Sequence, residues 1–139
     1  MPFPYYKQLD SMDCGPTCLR MVAKHFGRHF KLQTLRQLCE INREGVTLLG
    51  ISDAAEKIGF RSLGAKISLK DLIKTELPCI LHWRQNHYVV LYKIHKGRYY
   101  ISDPAKGLLE LSENDFARNW ISDTDKAYCA LLSLPNNHE

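Results

Sequence analysis

Asp13-Cys14-Gly15-Pro16-Thr17-Cys18 sets a cysteine directly before Gly-Pro, and an apolar-periodic segment follows through Cys18, Leu19, Val22 and Phe26. Proline suits the first turn of a helix, where its missing N–H would be unpaired anyway. The stretch therefore predicts a helix over 15–26 with Cys14 at its N-terminus and Gly27 as its stop. That end of a helix carries partial positive charge and unpaired N–H groups, which favour a thiolate, the reactive form of cysteine. Asp13 beside it works weakly in the other direction. On this stretch alone Cys14 is either a nucleophile or a buried small side chain.

Outward from there, the front of the chain reads as helical and the back as strands. Leu35, Leu38 and Cys39 mark one side of a second helix over 32–41, and Asn42 to Gly45 reads as a loop. Ile51, Ala54, Ala55 and Ile58 give a third helix over 49–58, closed by Gly59. A strand over 60–67 follows, and then Ser68 with Asp71 three residues on, a capping-box-like pair for a short helix. From Pro78 onward the β-branched and aromatic content predicts strands over 79–83, 87–94, 98–103, 108–111 and 127–134. Ser112 with Asp115 caps a further helix to Trp120, and 135–139 reads as a loose tail. Helices packed on an antiparallel sheet make an α+β fold. No repeat, linker or low-complexity tract divides the chain, so residues 1–139 are expected to form a single domain.

A nucleophilic thiol needs a base, and the base needs an orienting group. His87 opens a strand just after the Arg84-Gln85-Asn86 turn and shares a face with Val89 and Leu91. His82, beside Trp83 in the preceding strand, is its rival and otherwise a half-buried core histidine. His25, His29, His95 and His138 fall at helix ends, a turn and the tail. Asp103 closes a strand before Pro104 and is either the orienter or an ordinary turn initiator. Its geometry carries a condition. A strict two-residue turn at Lys96-Gly97 pairs His95 with Arg98, and counting back puts Asp103 on the face opposite to His87. The pair needs an odd-length loop near His95, or a bulge. Gln8, six residues before Cys14, offers a side-chain amide as an oxyanion donor, with the Cys14 backbone N–H as another.

Composition narrows the classes. Hydrophobic residues make up 45% of the 139, enough for a packed core, and the net charge of +4 is spread without a basic stripe, so a nucleic-acid partner is not expected. No apolar run is long enough to cross a bilayer, and Met1-Pro2-Phe3-Pro4-Tyr5-Tyr6 lacks the features of a secretion signal, which predicts a cytoplasmic domain. Five cysteines cannot all pair. Cys18, Cys39, Cys79 and Cys129 sit inside apolar patterns and read as core thiols. Cys14, Cys18, His25 and His29 have metal-like spacings, but one straight helix cannot wrap four ligands around zinc, so no metal or other cofactor is expected.

The order Gln8, Cys14, His87, Asp103 resembles that of papain-like cysteine proteases. More narrowly, the segment from Gln8 to Leu19 resembles the cysteine motif of the double-glycine leader peptidases, the bacteriocin-processing domains of peptidase-containing ABC transporters. His82-Trp83 followed by Asn86-His87-Tyr88-Val89-Val90-Leu91 is similar to their histidine motif, and Tyr100-Ile101-Ser102-Asp103-Pro104-Ala105 to their aspartate motif, with Gly107 in the turn after it. The resemblance implies a papain-like fold and cleavage of a precursor peptide after a Gly-Gly or Gly-Ala pair. It implies Cys14 as nucleophile, His87 as general base and acid, Asp103 as orienter and Gln8 as oxyanion donor. The implied partners are a precursor with a double-glycine leader and the membrane and nucleotide-binding domains of a transporter, fused or in trans, at the inner face of the cell membrane. The sequence holds no phosphate-binding loop of its own. Two other readings stay open: a domain that binds leaders without cutting them, and another thiol acyltransferase using the same three residue types.

Overall fold

The computed structural model describes residues 2–41, 45–122 and 125–135. The loop read at 42–45 is described only at Gly45, and His138 and most of the tail lie outside the described residues. The elements run α1 (Cys14–His25), α2 (Leu32–Leu38), α3 (Leu48–Lys57), β1 (Arg61–Ser68), α4 (Leu69–Leu72), β2 (Cys79–Trp83), β3 (His87–His95), β4 (Arg98–Asp103), β5 (Gly107–Ser112), α5 (Glu113–Trp120) and β6 (Lys126–Ser133). Strand pairing is antiparallel throughout, in the order β1-β6-β2-β3-β4-β5.

The expected α+β class is present, with a fuller architecture than a helical layer on one face. Helices α1 to α3 cover one side of the sheet, where Cys18, Leu19 and Val22 pack with Ile80, Tyr88 and Val90. The other side is covered by α4 and α5, whose Leu72, Phe116 and Trp120 pack with Leu81, Val89, Leu91 and Ile101. Phe116 and Trp120 are four residues apart, so they share one helix stripe, and Phe116 stacks on Tyr99 at 4.4 Å between ring centroids. The stretches 79–81 of β2 and 88–91 of β3 are thus buried on both faces, which accounts for their unbroken apolar runs.

Local signals set most boundaries. The Ser68 and Ser112 hydroxyls accept from the N–H groups of Asp71 and Asp115, each at 3.2 Å, contacts that stabilise a helix end by about 1 kcal/mol. Gly27 and Gly59 take positive φ (81° and 102°) just beyond α1 and α3, as their sequence positions suggested. The second helix stops three residues short of the expected 41: Cys39 caps it and Glu40 turns left-handed at φ 55°.

Gly15 answers a packing need. A Cβ there would stand 3.0 Å from Ile51 Cδ1 and 3.2 Å from its Cγ1, so the first turn of α1 lies directly against α3. Gly15→Ala is expected to lose about 1–2 kcal/mol in urea unfolding through this overpacking. Ile51→Val removes the nearest methyl, so the double variant should recover part of that loss; equal stability of Gly15→Ala and wild type would refute the close-approach account.

Candidate active site

Three element ends meet at one margin of the sheet. Cys14 is the first residue of α1, His87 the first of β3 and Asp103 the last of β4. A 3₁₀ turn at Ser11–Asp13, capped by the Asp10 carboxylate on the Met12 N–H at 2.8 Å, leads the chain directly into α1. Cys14 is 95% shielded from solvent, yet lines a cavity of about 700 Å³ with Val46, Leu48, His82, Tyr88 and Tyr128.

Asp103 reaches the side of His87 through a bulge. The hairpin does close with two residues: His95 pairs with Arg98, around Lys96 and Gly97, which both have positive φ. The register then slips by one between Lys93↔Tyr100 and Leu91↔Ile101, leaving Tyr92 as the extra residue of β3. Tyr92 and Lys93 consequently lie on one face, both against the Tyr100 ring. Below the slip Val90 faces Ser102; continuing that register puts Asp103 opposite Val89, on the face of His87. Of the two devices the sequence required, the chain uses the bulge.

The outcome is a direct bond. His87 Nε2–H donates to Asp103 Oδ1 at 2.7 Å, and the Ala105 N–H donates to the same oxygen at 2.8 Å. These bonds outweigh the effect of burial and hold the Asp103 carboxyl below its ordinary range. Burial alone would lower the His87 pKa, but hydrogen bonding to Asp103 and the charge of that carboxylate, with further contributions from Cys14, raise it from 6.5 to about 9. The buried carboxylate thus favours the imidazolium form of the ring. With Nε2 committed to Asp103, Nδ1 is the ring nitrogen left for another partner.

His82 takes another role. It pairs across the strands with Tyr88, stacks on that ring at 5.0 Å between centroids, and has its pKa lowered by burial, partly offset by a hydrogen bond with Asn86. It walls the cavity beside Cys14 and takes no part in the Asp103 pair. The four other cysteines are buried, unbridged thiols. Burial pushes Cys18, one helix turn from Cys14, well above the ordinary thiol range.

Gln8 stands where the N-terminal segment crosses the end of β4. Its N–H donates to the Pro104 carbonyl at 2.9 Å, while Ser102 and Tyr5 hydroxyls donate to the Pro4 and Pro104 carbonyls, both at 3.3 Å. Gln8 Nε2 donates to the Asp10 carbonyl at 3.1 Å, which commits one of its two amide protons and leaves the other for a ligand. Gln8, His87 and Asp103 line a shared cleft.

Sequence reasoning missed Arg36. Asp13 is fully buried and does not cap α1; its carboxylate instead meets Arg36 Nε at 2.9 Å. The charge that stood against a Cys14 thiolate is thereby countered by α2. Nothing local in 31–38 marks this contact. Thr47 did carry a readable signal: as the N-cap of α3 it accepts from the Gly50 N–H at 3.0 Å and sets Val46 and Leu48 at the cavity wall.

Comparison with known proteins places the chain in a family. The model of the peptidase C39 family matches residues 2–124. The colicin V secretion/processing ATP-binding protein of Escherichia coli is 36% identical over 115 residues, 83% of this chain and 16% of that protein. A probable microcin-H47 secretion/processing ATP-binding protein of the same species is 35% identical over 147 residues, 96% of this chain and 21% of its own length. The chain thus spans about a fifth or less of these curated relatives. Among solved structures, a double glycine motif protease from an AMS/PCAT transporter, crystallised with the leader peptide, superposes with a TM-score of 0.87 at 29% identity, covering 95% of this chain and 91% of that one. The peptidase domain of Streptococcus ComA, a bi-functional ABC transporter, gives 0.86 at 30% identity, covering 96% and 100%.

Proposed function

The chain belongs to the peptidase C39 family of cysteine peptidase domains, and from that premise we propose that it cleaves precursor peptides after a double-glycine leader, as the processing unit of an ABC exporter. The observation that carries the reading is the Cys14–His87–Asp103 constellation at one sheet margin.

The chemistry follows from the atoms. The thiolate of Cys14, paired with the His87 imidazolium, attacks the carbonyl carbon of the second glycine. The Gln8 amide and the Cys14 backbone N–H donate to the oxyanion that forms. His87 gives its proton to the departing amine and then takes one from the water that releases the acyl-enzyme. Asp103 holds the ring and its charge. We assign the preference for glycine to steric exclusion of side chains at the cut, which discriminates more strongly than a pocket missing one methylene.

The partners are a peptide carrying such a leader, bound as an amphipathic helix in a surface groove, and the membrane and nucleotide-binding parts of the exporter. Among the described residues no helix is long and apolar enough to cross a membrane. We place the domain at the cytoplasmic face of the membrane, where ATP-driven export begins.

Incubating the protein with a Gly-Gly precursor and weighing the products tests this. Hydrolysis between the second glycine and the next residue is expected, and Gly→Val at either glycine should stop it. Transfer of the leader to an added amine, with no hydrolysis, would overturn the peptidase reading in favour of an acyltransferase.

A further inference from the structure

A second cleft, of about 550 Å³, opens on the far side of the reactive pair. His87, Asp103 and Gln8 line it together with Arg84 and Lys106, whereas Cys14 lines the first cavity. Ser11, Gln85 and Asn86 border both. Gln85 and Asn86 hold consecutive left-handed conformations, φ 61° and 55°, a backbone arrangement that non-glycine residues adopt at some cost. Their turn forms the partition between the two spaces.

Amide cleavage assigns one half of a substrate to each space. The acyl half becomes bonded to the Cys14 sulfur and stays in that cavity. The amine half must take its proton from the His87 ring, so it leaves through the cleft that the ring lines. The charges there are uneven. Arg84 and Lys106 are exposed cations, and neither forms an ion pair with a carboxylate among the described residues. Asp103, the one carboxylate in the lining, is buried and already bonded to His87 and Ala105.

Building on the peptidase reading, we propose that this cleft is a subsite for the first residues of the released peptide, those just after the scissile bond, and that Arg84 and Lys106 make it select acidic side chains there. The selection is moderate, because exposed ion pairs are screened by water and salt.

Two precursors identical through the Gly-Gly pair, with Glu-Glu or Lys-Lys as the next two residues, should compete in one tube at low salt. The wild type is expected to favour Glu-Glu by roughly three- to tenfold in kcat/KM, a preference that shrinks in about 0.5 M salt, roughly three times physiological strength. In Arg84→Glu/Lys106→Glu the ratio should fall below one. Any general effect of Lys106 on Asp103 cancels in the ratio, and Arg84→Glu alone should move it in the same direction. A wild-type ratio near one, or a ratio unmoved by charge reversal, overturns the subsite. Failure of the wild type to cut either peptide would instead overturn the peptidase reading on which the subsite rests.

Discussion

Cys14→Ala is expected to lower cleavage of a double-glycine precursor on the order of 10⁴-fold or more, the scale seen when a covalent nucleophile is removed. The residue stands at the first position of α1, and its sulfur is among the groups that raise the His87 pKa, while no second thiol is placed to substitute. Cys18 lies a helical turn away but is wholly buried, with its thiol held well above the ordinary range. Alanine suits a helix, so the variant should fold and still hold the leader. Progress curves give the rate, and fluorescence titration with a labelled leader gives the affinity. Near-wild-type turnover by Cys14→Ala would remove the nucleophile assignment. Loss of leader binding with loss of folding would call for Cys14→Ser, where the hydroxyl keeps the side chain's shape but is a far poorer nucleophile at neutral pH.

Asp103→Asn carries the second large effect, a fall of roughly 10²- to 10⁴-fold in kcat. The amide keeps the volume of the carboxylate and can still accept from the Ala105 N–H, so the turn should survive. What disappears is the negative charge against the His87 ring. Burial lowers the His87 pKa, and the bonds to Asp103 and Cys14 raise it to about 9. Without the carboxylate, burial gains weight and the imidazolium loses its proton at lower pH. The alkaline limb of the pH–rate profile, expected near 9 in the wild type, should therefore move toward neutrality. A merely structural role for Asp103 would lower activity without moving that limb.

The site residues were legible because each sits at a break in pattern. Cys14 precedes Gly-Pro, His87 follows a turn, and Asp103 precedes Pro104, so every one falls at the end of an element. Capping serines and positive-φ glycines are likewise local signals, and they located helix ends to within a residue or so. The choice between His82 and His87 was not local; it required knowing which histidine the returning strand meets. The bulge at Tyr92 is equally hidden, because alternation along β3 continues normally on both sides of it. Arg36 on Asp13 and the second helical layer under the sheet depend on how distant segments dock, and no window of sequence around either one records it.

The slip at Tyr92 also separates the two ends of the hairpin. Which face Asp103 takes is fixed by the pairing below the slip, where Leu91 meets Ile101 and Val90 meets Ser102. Residues added at the exposed tip of His95, Lys96 and Gly97 leave that face unchanged as long as this pairing holds. What turns Asp103 away is a slip of one residue in the pairing itself, because side chains alternate with a period of two. The tip is thereby free to vary in length, and the constraint falls on the short stretch from His87 to Leu91 and its partners.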